Sequence, residues 1–276
     1  MRAWAALVLV FCALAGVAAS AQSFPAFGPR PSADLVVPPF TDAELTTLVA
    51  TLDRLVGADP SPDAWQQRGP DILWQFARRL QSGRLTSAQE AIVLAHLDRL
   101  ASRHPTGDEV VRGARRMVTE LMVGKKAPEI VGTDLEGRPL KLSDHRNKVV
   151  VLAFSAEWCG ICKTQIPYER FLVEQYAGWP FALLGVQIGS SPAVAKQAQA
   201  AGKLSFRAWW DAPAAGSSDG PIGSSWNVLG WPATYVIDGE GTIQFVDLRD
   251  EDLLKAVRQL LDAQATRDAA NPSRRR

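Results

Sequence analysis

Phe154-Ser155-Ala156-Glu157-Trp158-Cys159-Gly160-Ile161-Cys162-Lys163 is the stretch whose reading decides the fold. Before it, Val149-Val150-Val151-Leu152-Ala153 reads as a buried strand. After it, Thr164-Gln165-Ile166-Pro167-Tyr168-Glu169 reads as the start of a helix. A Cys-x-x-Cys pair at a strand-to-helix junction reads as a redox couple. At a helix N-terminus, unpaired N–H groups and the helix dipole favour a thiolate on Cys159. Cys162 lies one turn on, within reach of a disulfide.

Working outward, the apolar strand near Val150, the helix, and Phe181-Ala182-Leu183-Leu184-Gly185-Val186-Gln187-Ile188 form a βαβ unit with parallel strands. A short helix over 192–201 and an extended piece over 206–210 follow, with Trp209 and Trp210 assigned to the sheet core. A Gly/Ser/Ala-rich loop covers 213–223. Thr234 to Asp238 and Ile243 to Val246 flank Gly239-Glu240-Gly241 as a hairpin, and Glu251 to Leu261 is a closing helix. Upstream, Ala127 to Val131 and Leu140 to Leu142 flank a turn at Glu136-Gly137 as another hairpin.

Residues 40–123 switch to helical periodicity. Thr41 and Glu44 make a capping box before a first helix ending at Gly57. A second pattern carries Ile72, Leu73, Phe76 and Leu80. A third starts at Thr86 or Ser87, with Ser87 and Glu90 at capping-box spacing. A fourth runs from Val110 to Met122. This segment holds no chemical motif. It reads as a packed appendage or as a module for dimerisation or partner docking.

The ends complete the organisation. Arg2, the apolar run Trp4 to Val17 and Ala19-Ser20-Ala21 read as a secretory signal peptide over 1–21. That places the protein in the periplasm or otherwise outside the cytoplasm, or on a membrane if the segment stays uncleaved as an anchor. Residues 22–39 read as an extended linker and 265–276 as a disordered tail. A net charge of +1 implies no bulk attraction to nucleic acid.

Of the three cysteines, Cys12 lies in the signal, so only Cys159 and Cys162 remain after cleavage. A bridge across so short a loop constrains little of the unfolded chain, which favours redox chemistry over stapling. An inert disulfide and a metal-ligand role are the other readings. His96, His104 and His145 show no metal-ligand spacing with each other or with the pair, so no metal and no cofactor is expected.

The motif Trp158-Cys159-Gly160-Ile161-Cys162-Lys163, the stretch from Gly230-Trp231-Pro232-Ala233 to Gly241, and the leader Gly124-Lys125-Lys126-Ala127-Pro128 carry a family likeness. Residues 124–264 resemble the exported TlpA/ResA-type thiol–disulfide oxidoreductases. The resemblance implies an α/β thioredoxin fold, a mixed sheet flanked by helices, here preceded by a small all-α domain. It implies that Cys159 attacks a protein disulfide and Cys162 resolves the mixed disulfide. Trp158, Gly160, Ile161, Trp231 and Pro232 would then line the path of the incoming chain, with Pro232 cis and facing the cysteines. From the residues alone, Pro232 also reads as a proline opening a strand, and Trp158 equally as core packing. The partners implied are protein thiols and disulfides and an upstream membrane or exported thiol donor.

The sequence departs from the family in its proton chemistry. Thioredoxins carry a buried Asp where this chain has Ala153. ResA-type proteins carry a Glu where it has Gln165, which does not titrate. Glu157 and Lys163 read as solvated charges, leaving water as the expected acceptor of the Cys162 proton. Two other functions fit less well. A peroxide-reducing redoxin needs a Thr or Ser and a Pro close to the cysteine, and only Ser155 is present. A binding module without turnover is the alternative outside catalysis; its copper-carrying form uses a wider Cys spacing and a His that this site lacks.

Overall fold

The structure, a computed structural model, describes residues 35, 37–57, 61–81, 83–104, 108–213, 220–228 and 230–270. The expected signal peptide, most of the linker and the last six residues lie outside them. No described helix is long and apolar enough to cross a membrane.

Four helices come first: α1 (Asp42–Gly57), α2 (Pro62–Gln81), α3 (Ser87–Arg103) and α4 (Asp108–Glu120). The expected cap of α1 forms: Glu44 N–H donates to Thr41 Oγ1, and Thr41 N–H donates to Glu44 Oε2 at 2.8 Å. Helix α2 is longer than its periodicity suggests, because Gly69-Pro70 interrupts the pattern. Proline opens it at Pro62, where no intrahelical donor is needed. Gly69 then leaves room for the buried Trp65 indole, which a Cβ would strike, and Trp65 stacks on His104 at 4.1 Å. The cap of α3 is a correction of partner: Thr86, not Ser87, accepts from the backbone N–H of Gln89, and Gln89 Oε1 accepts from Thr86 N–H.

A two-stranded ladder follows, β1 (Val131–Thr133) against β2 (Pro139–Lys141), around Gly137 with φ +77°. The main sheet contains β3 (Val149–Ala156), β4 (Phe181–Ile188), β5 (Arg207–Trp210), β6 (Ala233–Ile237) and β7 (Ile243–Val246), in the order β5-β4-β3-β6-β7. Strands β3, β4 and β5 are parallel; β6 is antiparallel to β3, and β7 to β6. The remaining helices are α5 (Gly160–Gln175), α6 (Pro192–Ala201), α7 (Pro221–Ser225) and α8 (Asp250–Ala270). This is the mixed α/β sheet flanked by helices that the sequence implied.

The unbroken apolar run of β3 is explained by burial on both faces. Val150, Leu152 and Phe154 point into one cluster with Leu73, Met117 and Leu121 of the helical segment. Val149, Val151 and Ala153 point the other way, toward Leu172 of α5 and Leu253 and Val257 of α8. The period of two thus sorts one strand between two cores. The helical segment is the layer that covers one face of the sheet, and residues from Leu35 onward form one compact unit. After α4 the chain closes the β7 edge: Gly124 N–H donates to Ile243 O, and Ile243 N–H to Lys125 O.

Three further expectations are corrected. The described end of the linker is docked: Leu35 exchanges hydrogen bonds with the Gln259 side chain on α8, and Phe40 is buried. Helix α8 runs nine residues past Leu261, so 265–270 are helical, not a disordered tail. The physical reason is buried Gln264, whose Nε2 donates to Asn147 O at 2.7 Å. The Gly/Ser-rich loop ends in α7, because buried Asp211 accepts from the N–H groups of Ile222 and Gly223 at 2.8 and 2.6 Å. Trp209 is core as expected, its Nε1 donating to Leu140 O; Trp210 is only partly buried.

Buried Asp134 ties the β1–β2 ladder to β5. Burial alone would raise its carboxyl, but the Arg138 N–H and the Arg207 and Arg138 guanidiniums outweigh that and hold it at about 2.

Candidate active site

Strand β3 ends at Ala156, and a two-residue turn delivers Cys159 as the N-cap of α5. Its Sγ accepts from Cys162 N–H at 3.1 Å, so one orphan donor of the helix start is aimed at the sulfur. Cys159 and Cys162 form a disulfide and are both buried. Only the flanking residues reach solvent: Trp158 is 60% and Ile161 58% exposed, and Gly160 is exposed too. Large apolar side chains thus stand exposed on either side of the disulfide. The core-packing reading of Trp158 is therefore corrected, since the preceding turn points its indole away from both cores.

The opposite wall comes from the loop before β6. The Trp231–Pro232 peptide is cis. Trp231 is partly buried against a small cluster of Ala156, Cys159, Cys162 and Ile188. The structure therefore brings together Trp158, Cys159, Gly160, Ile161, Cys162, Trp231 and Pro232. Among the described residues, Trp231 N–H and C=O have no hydrogen-bond partner.

Two adjacent residues brace these walls. Arg249 donates to Pro232 O at 3.1 Å. Asp250, the next residue, exchanges two hydrogen bonds with Gln165 of the cysteine helix: its N–H donates to Oε1 at 3.1 Å, and Gln165 Nε2 donates to its Oδ1 at 2.9 Å. Gln165 is thus a buried strut. The helical segment supports the same wall from behind. Gln81 Nε2 donates to Tyr235 OH, and Tyr235 OH donates to Trp226 O at 3.2 Å, just ahead of the cis loop.

Glu157 is not the solvated charge the sequence suggested. It is half-buried and accepts from both the N–H and the Oγ of Ser190 at 2.7 Å. Burial pushes its carboxyl up, but the Ser190 bonds and, more weakly, Lys163 push it down further. Gly189 has to lack a side chain here, since a Cβ would overlap that carboxylate. Lys163 is exposed, as expected.

The ionisable group missed by the sequence reading is Glu169, on the buried face of α5 with Cys162, Gln165 and Leu172. Burial alone pushes its carboxyl up to about 7. Its signal was present: position 169 lies seven residues after Cys162, two turns along the same stripe.

No group of three or more His, Cys, Asp or Glu side chains that could hold a metal occurs among the described residues. His96 is buried, with Nε2 2.9 Å from Asp53 Oδ1 and Nδ1 2.9 Å from an Arg99 nitrogen.

Residues 123–246 match the AhpC/TSA family model. The thiol–disulfide oxidoreductase ResA of Geobacillus kaustophilus is 33% identical over 127 residues, which span 46% of this chain and 69% of that protein. ResA of Bacillus thuringiensis is 28% identical over 124 residues, 45% of this chain and 68% of the relative. The crystal structure of the thioredoxin domain of a thiol–disulfide oxidoreductase from Bacteroides vulgatus aligns with a TM-score of 0.46 at 25% identity, over 51% of this chain and 99% of that one. The family match begins after α4 has ended.

Proposed function

The chain belongs to the ResA-type, thioredoxin-like thiol–disulfide oxidoreductases, and we propose that it exchanges disulfides with exported proteins through Cys159 and Cys162. The observation that carries this is the placement of Cys159 Sγ against the Cys162 N–H in the first turn of α5, between exposed Trp158 and Ile161 and the Trp231–Pro232 wall.

In the reduced enzyme the same N–H and the helix dipole stabilise a Cys159 thiolate. That thiolate attacks one sulfur of a partner disulfide, and the other partner sulfur leaves with the bonding electron pair. Cys162 then attacks Cys159 Sγ and expels the partner's second sulfur, so two electrons pass to the partner and the enzyme disulfide forms. An upstream thiol donor restores the dithiol; the reverse sequence oxidises a partner. The Trp231 backbone, unpaired among the described residues, supports docking of an extended segment by strand-like hydrogen bonds. The exposed apolar flanks support a polypeptide partner over a small charged disulfide.

Export rests on the N-terminal Arg2 to Ala21 pattern. Peroxide reduction is less well supported, because the Ser155 hydroxyl is engaged by Gln187 Nε2 at 2.6 Å. Insulin-disulfide reduction by the wild type and Cys159→Ser tests the reading. Turnover in the wild type and background in the variant are expected; no thiol-dependent turnover in either would favour a binding module. A Cys162→Ser variant should accumulate the mixed disulfide on a non-reducing gel.

A further inference from the structure

We propose that the cavity between α2, α4 and the chain leading into the cis loop is a side-chain subsite of the exchange site. It takes a large apolar residue that a client polypeptide carries a few positions from its reacting cysteine. This deepens the exchange reading above and rests on it: it assigns the class of partner, polypeptides with an aromatic or long aliphatic side chain close to the disulfide.

The cavity holds about 470 Å³. Folded cores leave few voids larger than a water molecule, and spaces of a few hundred Å³ are the size of ligand pockets. Its floor is apolar. Leu73 of α2 and Val228 after α7 are buried, and Trp74 of α2 and Val110 of α4 are half-buried. Glu109, Arg112 and Arg116 of α4 line it with exposed side chains of both signs. An apolar floor inside a polar rim suits an apolar side chain whose own backbone stays in water.

Two contacts join this cavity to the wall over the sulfurs. Trp74 approaches Gly230, the neighbour of Trp231: a Cβ on Gly230 would lie 4.0 Å from Trp74 Cζ2. The far end of the Trp231 indole rests on α7, where a Cβ on Gly223 would lie 3.9 Å from Trp231 Cη2. The next residue, Ser224, lines the cavity. Trp231 in turn packs on Cys159 and Cys162. The cavity therefore starts one residue beyond the wall that faces the disulfide. A strand advances about 3.3 Å per residue, so an extended segment paired with the Trp231 backbone passes the indole within a few residues.

The walls are held before any client arrives. Arg78 stacks on Trp74 at 4.9 Å and pairs with Asp247 at 2.6 Å. Across the cavity, Gly113 of α4 leaves room for the Asn227 side chain, which a Cβ would meet at 2.7 Å. A preformed pocket costs little ordering on binding. Trp158 and Ile161 present apolar surface on the facing wall, so a client that crosses the sulfurs meets apolar surface at both ends of its path. Helices α2 and α4 precede residue 123, where the family match begins, so the subsite adds selectivity to the shared chemistry from outside the matched region.

Two measurements on the full-length protein test this. Reduced enzyme is given pairs of disulfide-bridged peptides that differ in one residue, Trp or Ala, set in turn two to six positions from the reacting cysteine. The wild-type kcat/KM should favour Trp on the order of thirtyfold at the position that reaches the cavity. In Val110→Trp, which fills the cavity from α4, that ratio should fall to near unity. A wild-type ratio near unity at every position, or a ratio that Val110→Trp leaves unchanged, would overturn the subsite. In the second measurement, nuclear magnetic resonance follows the Trp74 indole N–H of the oxidised wild type as cysteine-free versions of the same peptides are added, with no thiol chemistry involved. A shift with the Trp peptide and none with the Ala peptide supports the proposal. Equal shifts with both, or none, refute it even if the exchange reaction holds. A shift that grows with protein concentration alone means that a second copy of the chain fills the cavity, which also overturns it. Wild-type protein that reduces none of the peptides would sink the exchange reading, and the Trp74 signal would still decide whether the cavity takes the side chain.

Discussion

The two faces of the sheet are built by different rules. On the face covered by α1–α4, three polar pairs bridge the elements: Arg78 meets Asp247 at 2.6 Å, Gln81 meets Tyr235, and Asp53 meets His96. On the face covered by α5 and α8, Glu169 is buried, and burial alone pushes its carboxyl up to about 7. The first arrangement holds a wall in place; the second leaves a buried carboxyl whose ionisation costs stability. The contrast teaches that α1–α4, although outside the family match, are structural to the site. They close the core on which the cis loop rests.

The largest test of that contrast is Leu121→Ala, where the last turn after α4 enters the shared core. Loss of about 4 kcal/mol is expected from the removed volume. Far-ultraviolet dichroism and tryptophan fluorescence should fall at one urea midpoint. Separate midpoints would mean that the helices and the sheet do not share a core.

Next comes Glu169→Leu. The folded carboxyl sits near 7 against an ordinary 4.5, so ionisation destabilises the fold. The fold keeps its full stability below pH 4.5 and loses it as pH rises through about 7. The leucine variant should therefore gain on the order of 3 kcal/mol at pH 8 and far less at pH 4. An equal gain at both pH values would show packing, not charge, to be the cause.

The smallest effect is Arg78→Met. Burial raises the Asp247 carboxyl, and Arg78 offsets part of this. Removing a partly exposed partner should cost about 1 kcal/mol at pH 7. The cost should fade toward pH 3, where Asp247 is protonated in the folded and unfolded chains alike. A pH-independent loss would move the role of Arg78 from the carboxylate to its cation–π contact with Trp74.

Much of this was legible in the sequence, and the gaps have physical causes. The β3 run and the cysteine pair were readable because burial on both faces leaves an unbroken apolar signature. Helix α2 was truncated in the reading because Gly69 and Pro70 are breakers by propensity. Tertiary packing of Trp65 overrides that preference. The last turns of α8 were missed because Gln264 is polar, and its burial depends on a carbonyl 117 residues away in sequence. Glu157 was misjudged for the same reason, its partner Ser190 lying after the next strand. Glu169 is the least legible, because a lone Glu in a helical pattern reads as a surface charge unless its place on the buried stripe is counted.

Arg249 and Asp250 set the gap between the two walls. One grips the cis loop and the other the cysteine helix, and nothing but a peptide bond separates them. They act like the fixed arm of a calliper, one jaw on each wall. On the proposed reading, a substitution in the entry of α8 changes the clearance over the sulfurs, and with it the choice of partner, from behind the site.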